Sequence, residues 1–105
     1  MSGTDESWRR ILTRADFRAA CAGRTFRIGP DQFTIHADGR LTGRFDGLDL
    51  IGTWTWEDGL FCRTATLGTE DLGEDRETIE VNGNRMRYRG DGGHGAPRIA
   101  TADPR

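Results

Sequence analysis

The sequence predicts a mainly β chain, a small antiparallel meander or barrel of about seven strands with one short N-terminal helix. Three observations carry this. Asp38-Gly39, Asp58-Gly59 and Asn82-Gly83 each close a run of β-forming residues, and such dipeptides are the strongest short-range hairpin signal. From Arg24 onward the apolar residues recur with a period of two instead of the helical 3.6. The chain has 105 residues and 34% hydrophobic content, enough for one domain with a modest core.

The elements follow in order. Residues 1–12 read as a flexible N-terminal segment in which Trp8 and Ile11 can pack. Thr13 is placed as a helix N-cap, with Asp16 at the capping-box position. Phe17, Ala20 and Cys21 then fall on one face of a helix over 13–22, and Gly23 suits its end. Strands are expected at 24–28, 32–37, 40–45, 49–57, 60–67, 76–82 and 84–89, within one domain spanning 13–90. Gly29-Pro30-Asp31 is a turn, Asp46-Gly47 a turn or bulge, and 68–75 an acidic loop. Residues 91–105 are rich in Gly and Pro and read as a mostly mobile tail, in which Arg98–Ala100 can add a short edge strand.

Side-chain pairing tests each hairpin. With Asn82-Gly83 as a two-residue turn, Val81 faces Asn84, Ile79 faces Met86 and Glu77 faces Tyr88. The other face then pairs Glu80 with Arg85, Thr78 with Arg87 and Arg76 with Arg89. At Asp38-Gly39 a three-residue loop pairs Ile35 with Leu41 and Thr34 with Thr42, sending His36 outward. At Asp58-Gly59 two registers remain. A two-residue turn groups Trp54 and Trp56 with Phe61, Arg63 and Ala65; a three-residue loop groups them with Leu60 and Cys62. A meander with bare edges invites aggregation, so closure or strong curling is the physical remedy, and Gly43 and Gly52 fit tight curvature.

Composition narrows the function classes. The 15 basic residues, all Arg, face 17 acidic ones, for a net charge of −2. No global field draws the chain to nucleic acid or to a membrane. A GC-rich bacterial genome accounts for the Arg-only usage. Met1–Glu6 is polar and acidic, with no apolar leader core, and no run is long enough for a membrane helix, so a cytoplasmic location is expected. In a reducing compartment Cys21 and Cys62 stay unpaired.

The segment Gly52-Thr-Trp-Thr-Trp-Glu-Asp-Gly-Leu-Phe-Cys-Arg63 resembles a pattern in small alphaproteobacterial β-barrel proteins of unknown function. Several of these carry an automatic "dihydrodipicolinate reductase" label. Their pattern runs Gly-x-Trp-x-Trp, Asp-Gly, then an aromatic followed by Cys-Arg; a later turn and aromatic strand correspond here to Asn82–Tyr88 and Gly90-Asp91-Gly92. The resemblance covers about residues 41–95 and implies a compact, calycin-like barrel. The relatives carry a second cysteine where this chain has Arg76, and they tend to look secreted. The reductase label implies nothing here, because the chain has no strand–GxGxxG–helix unit to seat a dinucleotide.

The candidate residues form two groups. Trp54, Trp56, Arg63 and Tyr88 can hold a small apolar or aromatic ligand in a barrel mouth, although the two Trp serve equally as core filling. Arg63 can also cover the Trp of the calycin-like Gly-x-Trp as a cation–π contact. Arg76, Arg85, Arg87 and Arg89 share one sheet face and can hold an acidic partner, unless the acidic loop neutralises them. Asp46, Glu57 and Glu80 are the carboxylates on or beside strands that acid–base chemistry could use, and Glu80 is more simply explained by an Arg pair. Two His, 36 and 94, do not make a metal site with Asp38, and no cofactor is expected. The expected function is a non-enzymatic binding or adaptor protein. A cyclase- or isomerase-type barrel enzyme and an edge-strand homodimer are the alternatives.

Overall fold

The computed structural model describes residues 7–104. Among them run β1 (Arg9–Arg10), α1 (Arg14–Cys21), β2 (Arg24–Ile28), β3 (Asp31–Ile35), β4 (Arg40–Phe45), β5 (Leu48–Glu57), β6 (Leu60–Leu67), β7 (Glu70–Asn82), β8 (Arg85–Arg89) and β9 (Arg98–Ala102). Each strand from β2 onward pairs antiparallel with the next, and β9 pairs back onto β2. The result is a closed eight-stranded up-and-down barrel, one strand more than the meander expected from sequence.

Local chemistry sets the hairpins. Asp58 and Gly59 both have positive φ (53° and 76°), the geometry a two-residue type I′ turn requires. That turn settles the ambiguous register: Trp56 pairs with Phe61 and Trp54 with Arg63. The Asp38-Gly39 hairpin has the three-residue register, Ile35 opposite Leu41 and Thr34 opposite Thr42.

Three expectations are corrected. The turn between β7 and β8 is Gly83-Asn84, so Asn82 pairs with Arg85, Val81 with Met86 and Thr78 with Arg89. A two-residue slip leaves the faces unchanged but removes the clash of Arg76 with Arg89; Arg76 lies opposite Cys62 instead. The acidic stretch 68–75 is mostly strand: only Gly68 and Thr69 turn, and β7 begins at Glu70 with a bulge opposite Ala65/Thr66. Its side chains are largely exposed at the barrel rim, so no apolar alternation marks it. Arg98–Ala102 is not an edge strand but the closing one, held between β8 and β2. Its inward residues, Ala100 and Ala102, are buried but too small to stand out in a sequence.

The N-terminal segment falls partly outside the described residues, which begin at Ser7. From there Arg9 and Arg10 pair with Val81 and Glu80, extending the sheet where β6 has already turned away. The Ile11 N–H then donates to Ile79 O at 2.9 Å, and Ile11 is completely buried.

α1 plugs the barrel end next to the Asp58-Gly59 turn. Thr13 Oγ1 accepts from the Asp16 N–H at 3.1 Å, the N-cap bond the sequence signals. One helical turn apart, Phe17 and Cys21 are both fully buried. The Phe17 ring lies 4.8 Å from Trp56, 5.2 Å from Trp54 and 5.2 Å from Phe61. The indole N–H groups find backbone acceptors, Trp54 on His36 O at 2.9 Å and Trp56 on Leu12 O at 3.1 Å, so this core is fully hydrogen-bonded. Above the plug, Leu41, Gly52, Ala65 and Gly73 lie side by side across β4–β7. A Cβ at Gly52 would collide with the Thr64 carbonyl oxygen and come within 2.8 Å of Ala65 Cβ, so the coiling of the sheet here needs glycine.

Candidate functional site

Inside the barrel, on the side of the plug away from α1, lies a cavity of about 250 Å³. Its position follows from strand alternation: inward residues of β3, β4 and β5 supply Phe33, Ile35, Leu41, Phe45 and Leu50. Phe61, Ile79 and Met86 complete an apolar floor, while Leu67, Leu72 and Arg98, near strand ends, place its mouth opposite the helix. The polar side chains are confined to one wall, built from β6 to β9: Arg63, Glu77, Tyr88 and Arg98.

Arg63 is inward because it pairs with Trp54, and its side chain is only 19% exposed. Its guanidinium reaches along β7 to three groups: Gly73 O at 3.2 Å, Asp75 Oδ2 at 3.7 Å and Glu77 Oε2 at 3.6 Å. Cation–π contacts lie elsewhere among the described residues, with Arg85 and Arg87 over Trp8 and Arg24 over Phe26. Asp75 is committed on its other side: its Oδ1 accepts from the Arg76 and Asp91 N–H groups, each at 2.9 Å, which ties the 3-10 turn at Asp91–Gly93 to the cavity wall.

Glu77 is the buried carboxyl of this wall. Loss of water raises its pKa to about 7, against the opposing pull of Arg63. Burial also pushes the Tyr88 phenol up, with Arg98 acting against it. The Tyr88 ring meets Phe33 edge-on at 6.0 Å. Neither the Tyr88 hydroxyl nor the Arg98 guanidinium has a hydrogen-bond or ion-pair partner among the described residues.

The residues singled out from sequence therefore separate. Arg63 and Tyr88 line the cavity, whereas Trp54 and Trp56 pack against Phe17 in the plug. Two of the four outer arginines grip Glu80. Arg87 grips Glu80 with two bonds of 2.9 and 3.0 Å, Arg89 adds a third at 3.1 Å, and these hold the Glu80 carboxyl below the usual range. Arg85 stacks on Trp8, and Arg76 stands exposed on the same outer side. Asp46 and Glu57 are exposed and away from the cavity. His36 bonds Thr42 Oγ1 at 2.7 Å and His94 bonds Asp91 O at 3.0 Å. Among the described residues no group of three His, Cys, Asp or Glu could hold a metal ion.

Sequence reasoning passed over two members of the wall. Glu77 precedes Ile79 and Val81 by two and four positions, and that period places it inside; the surrounding acidic run disguised it. Arg98 sat in a stretch read as tail. Both cysteines are buried and neither is in a disulfide, and burial raises the Cys62 pKa, which argues against a thiolate nucleophile there. No helix among the described residues is long and apolar enough to cross a membrane. Compared with known proteins, the chain matches no protein-family model, no curated protein and no solved structure.

Proposed function

We propose that this protein is a binding barrel for a small, mainly apolar molecule held inside the cavity. The observation that carries the reading is the cavity itself: apolar on the β3–β5 side and floor, polar on one wall, and open at one end only because α1 fills the other. Its 250 Å³ corresponds to about eight waters' worth of liquid volume, so the ligand is of metabolite size. The free Tyr88 hydroxyl and Arg98 guanidinium give it polar partners.

Titration calorimetry with 1-octanol tests this. At about 0.5 kcal/mol per non-hydrogen atom, a nine-atom alcohol binds with a Kd of about 0.5 mM. Leu50→Trp, which fills the cavity from β5, abolishes the binding while the fold melts normally. Absence of saturable binding to the unmodified protein overturns the proposal.

One observation favours a second reading. A buried carboxyl with a pKa near the working pH is suited to proton transfer, which a cyclase- or isomerase-type barrel would need. Mass spectrometry of ligand recovered from the protein separates the two readings: a binder returns it unchanged.

A further inference from the structure

We infer that the cavity captures a monoanionic amphiphile of the carboxylate class, its head set between Arg63 and Arg98, and that capture takes up one proton from solvent on the Glu77 carboxyl. This rests on the cavity being the ligand site. The geometry supplies the argument. The groups facing Glu77 are Arg63 from β6, Asp75 from its own strand, Tyr88 from β8 and Arg98 from β9; β3, β4 and β5 present only apolar side chains to the cavity. Asp75 is tied to two backbone N–H groups and to Arg63, so it is not available to Arg98.

The charge balance of the wall then depends on Glu77. With Glu77 ionised, two guanidiniums face two carboxylates and the wall is neutral. An incoming carboxylate would compete with Glu77, whose oxygen already lies 3.6 Å from the Arg63 Nε. With Glu77 protonated, one positive charge is left over on the wall, shared between the shielded Arg63 and the exposed Arg98 at the mouth, and at Arg63 its interaction with an anion is less screened than in open water. The anion supplies the missing charge, Tyr88 can donate to it, and the apolar tail occupies the floor formed by Ile35, Leu41, Phe61, Ile79 and Met86. Binding and protonation are linked, so each favours the other.

The test compares octanoate with 1-octanol on the full chain at about pH 6 and about pH 8, both above the ordinary carboxylate range. If the anion binds only the protonated form, a Glu77 pKa of about 7 makes octanoate about tenfold tighter at the lower pH, with octanol unchanged. Calorimetry in two buffers of different protonation enthalpy gives an uptake approaching one proton per octanoate at about pH 8. Glu77→Gln binds octanoate at the higher pH as tightly as the unmodified protein does at the lower, and its pH dependence vanishes. Arg98→Leu weakens octanoate by a much larger factor than octanol, which keeps the Tyr88 hydroxyl as a polar partner, and the octanol binding that remains in each variant reports an intact cavity. If octanol binds but octanoate shows no pH dependence and no proton uptake, this inference fails alone. If octylamine binds more tightly than octanoate, it fails as well. If octanol also fails, the binding reading falls with it.

Discussion

The two faces of β7 carry the same side chain in opposite states. Glu80 points outward, is held by three hydrogen bonds from Arg87 and Arg89, and has its pKa lowered. Glu77, three residues earlier, points inward, faces one arginine at 3.6 Å, and has its pKa raised to about 7. The difference lies in solvent and geometry, not in residue type. Outside, water and a fork of guanidinium hydrogen bonds support the anion; inside, the off-centre Arg63 guanidinium and the more distant Arg98 do not repay the lost hydration. The outer pairs therefore read as sheet glue, and the inner pair as a site whose charge can change.

Three substitutions break or sharpen this contrast. The largest effect is expected from Arg63→Leu. It removes the bond to Gly73 O and the charge that offsets Asp75 and Glu77, costing about 3–4 kcal/mol at pH 8 by chemical denaturation. The loss is smaller at pH 5, where Glu77 is neutral. Next is Glu77→Gln. Because the folded pKa of Glu77 is raised, its favourable contribution is complete below the ordinary value of 4.5 and disappears as pH rises through about 7. The variant is thus more stable than the parent by about 3 kcal/mol at pH 8 and gains nothing at pH 4. A melting curve that responds equally at both pH values would refute the assignment. The smallest effect is Glu80→Gln, a destabilisation of about 1 kcal/mol at neutral pH that shrinks with added salt. Its sign is opposite: the Glu80 contribution is present above the ordinary carboxylate range and is lost on acidification through its lowered pKa.

The same contrast explains how far the sequence could be read. Hairpins came from Asp-Gly and Asn-Gly pairs because the turn chemistry is local, and the face of each strand followed from the period of two. Arg63 stood out through the Gly-x-Trp resemblance, and Tyr88 through its place on the apolar face of its hairpin. Glu77 lies on that same face but within Glu70–Glu77, where the bulge and the exposed rim make acids the rule. Registers failed where two choices preserve the same faces, as at Gly83-Asn84, because hydrophobic patterning is blind to a slip of two. The closing strand was hidden because its inward residues are alanines, whose burial depends on partners far along the chain. The cavity is a property of eight strands together, and no local segment encodes it.

The way the hoop is shut has its own consequence. β5 and β6 share eight register pairs, whereas β2 and β9 share two, Phe26 with Ala102 and Arg27 with Thr101. Side chains fasten that seam: Arg24 Nη2 donates to Asn84 Oδ1 and Asp103 O at 2.8 and 2.9 Å, and Arg27 pairs with Asp103 at 3.4 Å. These contacts join opposite ends of the chain, so the seam is the last to form and the first to part. Amide exchange should therefore begin at Arg27 and Thr101, the pair facing across the seam, while β5 and β6 stay protected. A chain ending before Arg98 would expose the edges of β2 and β8 together, turning a self-contained vessel into a sheet that recruits its own copies.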